Sequence, residues 1–301
     1  MARRKKKRRA TFGDIMRTLL MLIALVVFLF SGYTLYGYYK EYRKGTEEYD
    51  NLESNFSIEV EEDETENFED LEQQLEAQLE ELLDEDLAIP SITGREVATV
   101  WENNQEVTLP VMTNPIDFKE LKSVNEDIVG WLRIRALDIS YPVVQAEDND
   151  YYLHRTFEGV ENFAGCLFVN CDNEADFTDQ NTIIYGHNMK NGSMFGKLKN
   201  FQEEDTFNKS RYFWVFSEDF IYQYRIFTAM TVNKVGINYQ TFFTEGEFQE
   251  FKDAAFRNSV VENTGVKLSY DDRIVTLSTC TGNDATRFVV MGKLVQIYAA
   301  K

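Results

Sequence analysis

Hydrophobic and polar positions divide the sequence into consecutive parts that differ in character. Residues 18–39 carry no charged side chain and are almost entirely apolar. Residues 40–91 are mostly polar and acidic, whereas after them short apolar runs alternate with polar, turn-forming stretches. This pattern predicts a basic tail over residues 1–17, a membrane-spanning helix, a linker, and a globular domain over residues 92–301.

The globular part contains eight short runs rich in β-branched and aromatic residues, which predict strands. They occupy residues 128–134, 139–145, 164–170, 181–186, 212–217, 220–232, 273–279 and 287–298. Because regular helices do not alternate with these runs, the pattern predicts a mainly β fold, either a barrel or a sandwich.

Three segments of the same domain depart from the strand pattern. Residues 194–201 predict one or two helical turns, and the other two segments predict peripheral helices. Residues 117–125 predict a short helix capped by Asp117. Residues 244–260 predict a longer helix, because Thr244 can cap its start and Glu247 completes a capping box. The apolar stripe of the longer helix is predicted to contain Phe248, Phe251, Ala255 and Phe256.

The charges around the apolar segment indicate a membrane anchor and its orientation. All residues from 3 to 9 are basic, and residues 18–39 are long enough to cross the hydrocarbon core of a bilayer as a helix. Because basic residues stay on the cytoplasmic side, we expect the N-terminus inside the cell and the residues after Lys40 outside, at the cell membrane. A cleaved signal peptide is the alternative, which the long apolar run and the lack of a clear small-x-small cleavage site disfavour.

The net charge of −20 is concentrated in the linker rather than spread over the chain. Residues 59–70 are highly acidic, which is typical of a disordered spacer. Residues 71–83 have leucines at helical spacing, which predicts a short amphipathic helix. A basic tail this short beside a membrane segment is typical of a topology determinant, so no nucleic-acid partner is expected.

Three cysteines, Cys166, Cys171 and Cys280, limit the disulfide chemistry. An extracellular location permits disulfides, but three cysteines cannot all pair. Cys166 and Cys171 lie five positions apart in a strand-like run and are expected to point to opposite faces, which disfavours a bond between them. Both are interpreted as small buried hydrophobic residues.

Residues at strand ends form a candidate catalytic set. Cys280 and His187 each directly follow an apolar run and precede a polar turn, and Arg287 begins the last run. A tight connection between the last two strands would place Cys280 beside Arg287. A neighbouring imidazole or guanidinium favours a reactive thiolate, imidazole can carry a proton near neutral pH, and a guanidinium can stabilise an oxyanion. Together these residue types fit acyl transfer by a cysteine nucleophile.

Structural interpretations stay open for each of these residues when it is taken singly. A cysteine or histidine after a strand is commonly structural, and an arginine at the start of a strand is commonly a solvated surface charge. The sequence has two histidines, no GxSxG serine motif and no CxxC pair, so we expect neither a metal nor a cofactor. The second histidine, His154, is interpreted as a surface or packing residue.

Two segments resemble the signature regions of sortases, the cysteine transpeptidases that attach proteins to Gram-positive cell walls. They are NTIIYGHNMKNGSMFGKL at residues 181–198 and TLSTCTGNDATRFVVMGKL at residues 276–294. The order YGHNM then GSMF, the run WLRIRALDISYPVVQAEDNDYYLHRTF at residues 131–157 and the helix before the cysteine strand resemble class B. The resemblance extends from Asp117 to the C-terminus and implies a closed β-barrel of about eight strands, with few helices, behind a membrane anchor and linker.

The resemblance also implies roles for individual residues. It places the nucleophile at Cys280, the acid/base histidine at His187 and the anion-stabilising arginine at Arg287. The other matched positions line or adjoin the sorting-signal groove of class B relatives, and they are Asn149, Leu153, Ser278 and Thr279. Class B members often carry an acidic residue directly after the cysteine, whereas this chain has Thr281 there, so this position supplies no carboxylate to orient the histidine.

The resemblance predicts a transpeptidase that acts on surface proteins. Cys280 would cleave a C-terminal sorting signal at a Thr–Gly or Thr–Asn type bond and form a thioester, which an amine of the peptidoglycan precursor or cross-bridge would resolve. The expected partners are therefore sorting-signal-bearing surface proteins, the cell-wall amine and the membrane. The alternatives are a pilin-polymerising enzyme with a lysine acceptor, a thiol protease with water as acceptor, and a non-catalytic membrane-tethered adaptor.

Overall fold

The N-terminal segment forms one long helix, α1 (Phe12–Phe56). The computed structural model describes residues 12–56 and 96–301. The basic block, the acidic stretch and the leucine-spaced helix predicted for the linker all lie outside the described residues. Within the described part of the chain, α1 is the one helix with the length and apolar composition to cross a membrane.

The chain divides into two compact units, Met1–Glu47 and Glu48–Lys301. In the described part of the second unit, ten strands form one sheet. In chain order they are β1 (Val97–Glu102), β2 (Gln105–Met112), β3 (Ile128–Ile134), β4 (Ile139–Val144), β5 (Leu167–Val169), β6 (Asn181–Tyr185), β7 (Tyr212–Phe216), β8 (Phe220–Asn233), β9 (Ile274–Cys280) and β10 (Thr286–Ala300). All eight runs predicted as strands are strands.

Eight of these strands close into a barrel. Their order around it is β10, β8, β7, β3, β4, β5, β6 and β9, and β9 pairs with β10 to complete the ring. Most neighbours are antiparallel, but β4–β5 and β6–β9 are parallel. The predicted closed barrel is therefore confirmed, and the sandwich is not formed.

A β-hairpin that the sequence analysis missed lies outside the barrel ring. β1 and β2 pair from Val97↔Pro110 to Glu102↔Gln105, and β2 adds in parallel to the end of β10. The turn consists of Asn103 and Asn104, whose φ angles are 47° and 58°. Asparagine is one of the few residues that tolerates this left-handed conformation, so the two adjacent asparagines were the available sequence signal.

Among residues 96–301, three α-helices accompany the barrel, and the two predicted ones begin where their caps predicted. They are α2 (Phe118–Val124), α3 (Glu204–Lys209) and α4 (Glu245–Arg257). The Asp117 carboxylate accepts from the first turn of α2, and Thr244 and Glu247 form the capping box of α4. The predicted stripe residues Phe248, Phe251 and Ala255 are buried, while Phe256 lies at the edge of the stripe, 39% exposed.

The helix α4 packs against β8 and β10 through a cluster of buried apolar side chains, which includes Phe227 and Met230 of β8, Val289 of β10 and Phe251 of α4. Covered by α4 on one side and by the barrel interior on the other, β8 is buried along almost its whole length. Its sequence is therefore rich in apolar and aromatic residues on both faces, although the polar side chains of Gln223, Arg225 and Thr228 are buried with them. The long connection that carries α4 leads directly into β9.

The last turns of α1, residues 48–56, belong to the second compact unit. Tyr49 and Leu52 are only 4% and 2% exposed. The main-chain N–H of Asp117 donates to the carbonyl of Phe56 at 3.0 Å. The predicted boundary of the globular domain within the linker stays a prediction, but these helical turns pack with the barrel.

Candidate active site

Three neighbouring strands at one rim of the barrel position the candidate catalytic residues. β9 lies between β6, which is parallel to it, and β10, which is antiparallel. Cys280 is the last residue of β9, is exposed, and lies directly opposite Arg287 of β10. Directly opposite residues point to the same face with Cβ atoms about 4.5–5.5 Å apart, so this pairing brings the thiol and the guanidinium to one place.

The segment that carries His187 is held against β9 by hydrogen bonds. The N–H of Gly186 donates to the carbonyl of Ser278 at 3.1 Å, and the hydroxyl of Thr279 donates to the carbonyl of Gly186 at 2.8 Å. A Cβ at Gly186 would collide with two buried apolar side chains. Only glycine therefore lets the chain leave β6 so close to the barrel wall.

Asn188, the residue directly after His187, is bonded to the strand that ends at Cys280. Its side-chain amide donates to the main-chain carbonyl of Cys280 at 2.7 Å. With Gly186 held on one side and Asn188 on the other, His187 lies alongside Cys280. The sequence analysis missed Asn188, although a short side-chain amide next to a candidate histidine is well suited to bind nearby main chain.

The imidazole of His187 is bound by a main-chain carbonyl. Its Nε2 lies 2.7 Å from the carbonyl oxygen of Leu153. Because a carbonyl can only accept, Nε2 carries the proton, and Nδ1 is the nitrogen that can exchange protons with reacting groups. Leu153 thus supplies the orienting acceptor that Thr281 cannot supply, since the Thr281 hydroxyl bonds across its own turn to the hydroxyl of Thr286 at 2.6 Å.

Burial lowers the pKa of His187, and the bond to the Leu153 carbonyl partly opposes that shift. The ring of His154 lies 6.2 Å away with an angle of 29° between the planes, and positive charge on it lowers the pKa of His187 further. Both histidines of the chain therefore lie at this rim. The interpretation of His154 as a surface or packing residue fits its exposure and its ring contact, although its nearness to His187 was not predicted.

The guanidinium of Arg287 is oriented by the connection between β9 and β10. Its Nη1 donates to the carbonyl of Thr286 at 2.8 Å and to that of Asp284 at 3.3 Å. These bonds occupy one nitrogen of a planar group that offers five donors. The side chain is partly buried, which limits its freedom and keeps the fork beside the strand end of Cys280.

Two tyrosines extend the site beyond the residues found in the sequence. The hydroxyl of Tyr239 lies 2.9 Å from the hydroxyl of Ser278, and its ring stacks on Tyr185 with centroids 6.3 Å apart and planes within 9°. Burial raises the pKa of both phenols, and the positive charge of Arg287 opposes that shift, so both stay protonated in neutral solution. Tyr239 lies in the long connection before β9, where the sequence showed no chemical pattern.

Three of the predicted substrate-groove residues lie with the catalytic set. Ser278 and Thr279 are 1% and 3% exposed, and their hydroxyls are bound to Tyr239 and to the carbonyl of Gly186. Leu153 is partly buried and contributes its carbonyl to the histidine. Through these contacts the three residues stabilise the rim. Substrate binding by them stays a prediction.

Asn149, the fourth predicted groove residue, is engaged by a neighbouring loop. Its Oδ1 accepts from the N–H of Cys171 at 3.0 Å, and its Nδ2 donates to Oδ1 of Asn170 at 2.9 Å. Both ends of the amide thus tie the segment before Leu153 to the segment after β5. This arrangement defines a structural role for Asn149, and substrate binding by it also stays a prediction.

The other two cysteines lie in environments unsuited to catalysis. All three cysteines are free. Burial raises the pKa of Cys166 to about 12 and also raises the pKa of the partly exposed Cys171, which suppresses the thiolate at neutral pH. Within residues 12–56 and 96–301, no group of three or more histidine, cysteine or acidic side chains is arranged to hold a metal.

Comparison with known proteins places this barrel and its rim in a family. The sortase domain family matches residues 132–295. Sortase B of Listeria monocytogenes is 38% identical over 183 residues, which cover 60% of this chain and 74% of the relative. The structure of Clostridium perfringens sortase B is 32% identical, covers 60% of this chain and 100% of that chain, and has a TM-score of 0.56. A structure of sortase B complexed with triglycine is 31% identical, covers 60% and 85% of the two chains, and also has a TM-score of 0.56.

The closed barrel and these matches define the class of protein as a cysteine transpeptidase. The chain belongs to the sortase family, as its two signature segments indicated. The relatives and structures that it matches are sortase B proteins, so the predicted class B is confirmed.

Proposed function

We propose that this sortase joins surface proteins to a cell-wall amine through a thioester on Cys280. One observation carries the assignment of the residues, namely the strand register at the barrel rim. In that register Cys280 lies directly opposite Arg287 and beside the segment of His187, which bonds from Gly186 and Asn188 fix to β9. The sorting-signal groove is expected along Asn149, Leu153, Ser278 and Thr279.

The first half-reaction transfers the acyl group of the sorting signal to the enzyme. Sγ of Cys280 attacks the carbonyl carbon of a Thr–Gly or Thr–Asn type bond, so that a C–S bond forms and the C–N bond breaks. The thiol proton reaches the leaving amine through His187, and Nδ1 is the nitrogen that carries it, because Leu153 holds Nε2. Arg287 donates to the oxyanion of the tetrahedral intermediate, and the guanidinium keeps its positive charge at any physiological pH.

The second half-reaction releases the product to an amine. The nitrogen of the acceptor attacks the thioester carbonyl, a new amide C–N bond forms, the C–S bond breaks, and the proton of the amine returns to the sulfur of Cys280 through His187. The complex of a related sortase B with triglycine supports a glycine amine as the acceptor class. The lowered pKa of His187 suits this task, because a neutral imidazole is available to take the proton near neutral pH.

In this proposal the reaction takes place at the cell surface, next to a membrane anchor. We assign residues 1–17 to a cytoplasmic tail, residues 18–39 to the anchor, residues 40–91 to a linker and residues 92–301 to the catalytic domain, with the helical turns over residues 48–56 of the linker packed with that domain. The length and apolar composition of α1 support the anchor. The basic residues before it support an extracellular catalytic domain, since basic flanks stay in the cytoplasm.

Mass spectrometry of the full-length protein in detergent micelles tests this function. The protein is incubated with peptides that contain Thr–Gly or Thr–Asn bonds, first alone and then with triglycine. We expect an acyl adduct that maps to Cys280, and a peptide–triglycine product when the amine is present. Preference for a lysine-bearing peptide over triglycine would indicate a pilin-polymerising enzyme, hydrolysis alone would indicate a protease, and no cleavage of any peptide would contradict the proposal.

The acid sensitivity of the fold provides a second test, which reports on His187 alone. Its pKa is lower in the folded chain than in an unfolded one, so the unfolded chain binds more protons in acid. The stability that depends on neutral His187 is therefore present above the ordinary histidine pKa of about 6.5 and is lost as the pH falls below it.

We therefore expect the wild-type protein to lose more melting temperature between about pH 7.5 and about pH 5.5 than the His187→Gln variant, whose amide can still donate to the Leu153 carbonyl. The melting temperatures of full-length protein in micelles measure this difference, and His154 is common to both proteins. An equal loss in the two proteins would show that His187 titrates as an ordinary exposed histidine.

A further inference from the structure

The end of α1 is bonded to the loop that supplies the carbonyl partner of His187. Tyr49 is 4% exposed, and its hydroxyl donates to the carbonyl of Gly165 at 2.6 Å within the protein interior. Its ring also meets that of Tyr141 edge-on with centroids 5.4 Å apart. A buried hydrogen bond between groups 116 positions apart fixes their relative position, because breaking it leaves a buried carbonyl without its donor.

The bond from Tyr49 continues through one peptide group toward the histidine. The carbonyl of Gly165 and the N–H of Cys166 belong to the same planar peptide unit. That N–H donates to the carbonyl of Tyr152 at 3.0 Å, directly before Leu153. Hydrogen bonds in such a chain strengthen one another, so the donor at Tyr49 also strengthens the bond that anchors the peptide of Tyr152.

Gly165 is also in close steric contact with the segment that carries the Leu153 carbonyl. Its φ is +60°, and a Cβ on it would lie 2.7 Å from the carbonyl oxygens of both Tyr152 and Leu153. The backbone of Gly165 therefore lies directly against the oxygen that binds Nε2 of His187. The position of Gly165 therefore constrains the position of the Leu153 oxygen.

The loop between these points is tied to itself, so it moves as one piece. The N–H of Asn162 donates to the carbonyl of His154 at 2.9 Å, and the N–H of Gly165 donates to the carbonyl of Asn162 at 3.1 Å. Arg155 and Glu161 pair across the loop as an isolated bridge. A displacement at Gly165 is consequently transmitted to Leu153 rather than absorbed between them.

We propose that Tyr49 is a positioning residue for catalysis, which holds the Leu153 carbonyl against His187 through the peptide of Gly165. Tyr49 has no contact with the reacting atoms and acts through the loop alone. The turns of α1 that follow the membrane anchor thereby form part of the catalytic machinery. This inference rests on the proposed role of His187 as the acid/base residue.

The test compares two tyrosine-to-phenylalanine variants of the full-length protein in micelles. Tyr49→Phe removes only the hydroxyl and keeps the buried ring. Tyr270→Phe is the matched control, because its hydroxyl also donates to a main-chain carbonyl, that of Phe243 at 2.7 Å, next to α4 rather than next to the histidine loop. Both variants lose a hydrogen bond from a phenolic hydroxyl to a main-chain carbonyl, which is buried at Tyr49 and partly buried at Tyr270.

Three quantities are measured for each variant, namely melting temperature, turnover of the peptide panel with triglycine, and the titration of the imidazoles by NMR. With two histidines in the chain, the two titrations can be separated. For Tyr49→Phe we expect kcat to fall roughly three- to ten-fold with KM nearly unchanged, which corresponds to the loss of about one neutral hydrogen bond. The titration midpoint of His187 is expected to fall, because its bond to the Leu153 carbonyl weakens.

Tyr270→Phe is expected to leave both kcat and the His187 titration unchanged, even if its melting temperature falls. If Tyr49→Phe lowers only the melting temperature, Tyr49 is a structural brace and the proposal is overturned. The NMR titration decides the inference even if no peptide of the panel is processed. Failure to process any peptide would count against the proposed function and not against the link between Tyr49 and His187.

Discussion

Replacing Cys280 with alanine is expected to abolish transpeptidation while leaving the melting temperature of the full-length protein nearly unchanged. The side chain is exposed at the end of β9, so its removal costs little packing. The chemical step loses its nucleophile, and in a characterised hydrolase the same loss lowers kcat on the order of 10⁶-fold. The measurement is turnover of sorting peptides with triglycine, together with the mass of the intact protein, which should show no acyl adduct.

Two matched cysteine variants separate this effect from a general need for thiols. Cys171→Ala is expected to retain turnover, because that thiol is partly buried and burial raises its pKa, which suppresses the reactive thiolate. Cys166→Ala is expected to retain turnover with a lower melting temperature, since the thiol is completely buried in the barrel. Substantial turnover by the Cys280→Ala protein would remove Cys280 from the mechanism.

Replacing Arg287 with lysine is expected to lower turnover far more than a charge-conserving change normally does. Arginine presents a planar fork, of which one nitrogen already binds the carbonyls of Thr286 and Asp284, while lysine has a single ammonium on a flexible stem. Loss of one well-placed oxyanion donor costs about 2.7–4 kcal/mol, or roughly a hundred- to a thousand-fold in rate. Lysine recovers part of this through its charge. Steady-state turnover with the peptide panel measures the effect.

The control for Arg287→Lys is Arg257→Lys, at the exposed end of α4, which should leave turnover and melting temperature unchanged. Melting temperatures of both proteins identify an indirect effect. Near-normal turnover in Arg287→Lys would show that the guanidinium is only a solvated strand-end charge. A large fall in its melting temperature would make the role of Arg287 structural.

The barrel could be predicted because most of its buried strands are visible in the sequence as short apolar runs. The eight runs are short, apolar and separated by turn residues, and each became a strand. The hairpin of β1 and β2 was missed although Val107, Leu109 and Val111 form an alternating apolar face in β2. Its two strands lie outside the barrel ring, and most of their residues are only partly buried or exposed. Its turn, Asn103–Asn104, was a local feature that analysis of apolar periodicity did not use.

Only those residues of the candidate site whose side chains are chemically distinctive could be predicted from the sequence. Cys280 and His187 were found because scarce residue types stand at strand ends, and Arg287 because a tight turn separates it from Cys280. The structure brings the strand ends of all three to one rim. The Leu153 carbonyl could not be found, because every residue has a carbonyl and only the folded loop aims this one at the histidine. Tyr239 was missed because its position beside Ser278 depends on a long connection whose path the sequence does not reveal.

The end of α1 was missed for a different reason. Charged residues surround Tyr49 and Leu52, so average composition placed them in the linker. Burial at these two positions depends on a surface formed by residues more than a hundred positions away, as the bond from Tyr49 to Gly165 illustrates. The average composition of a segment does not reveal that two of its side chains are buried against distant residues.

The parallel pairing of β6 with β9 makes the order of folding matter for the chemistry. Cys280 and Arg287 meet across a short local turn, but 92 positions separate Asn188 from the Cys280 carbonyl that it binds. Contacts at such separation form late, because the chain between them must first lose its conformational freedom. A chain with only the local turn formed would hold its thiol and guanidinium together without the imidazole. Under the proposed mechanism, Cys280 would then gain its proton acceptor only when the ring of strands closes, and activity would require the completed fold.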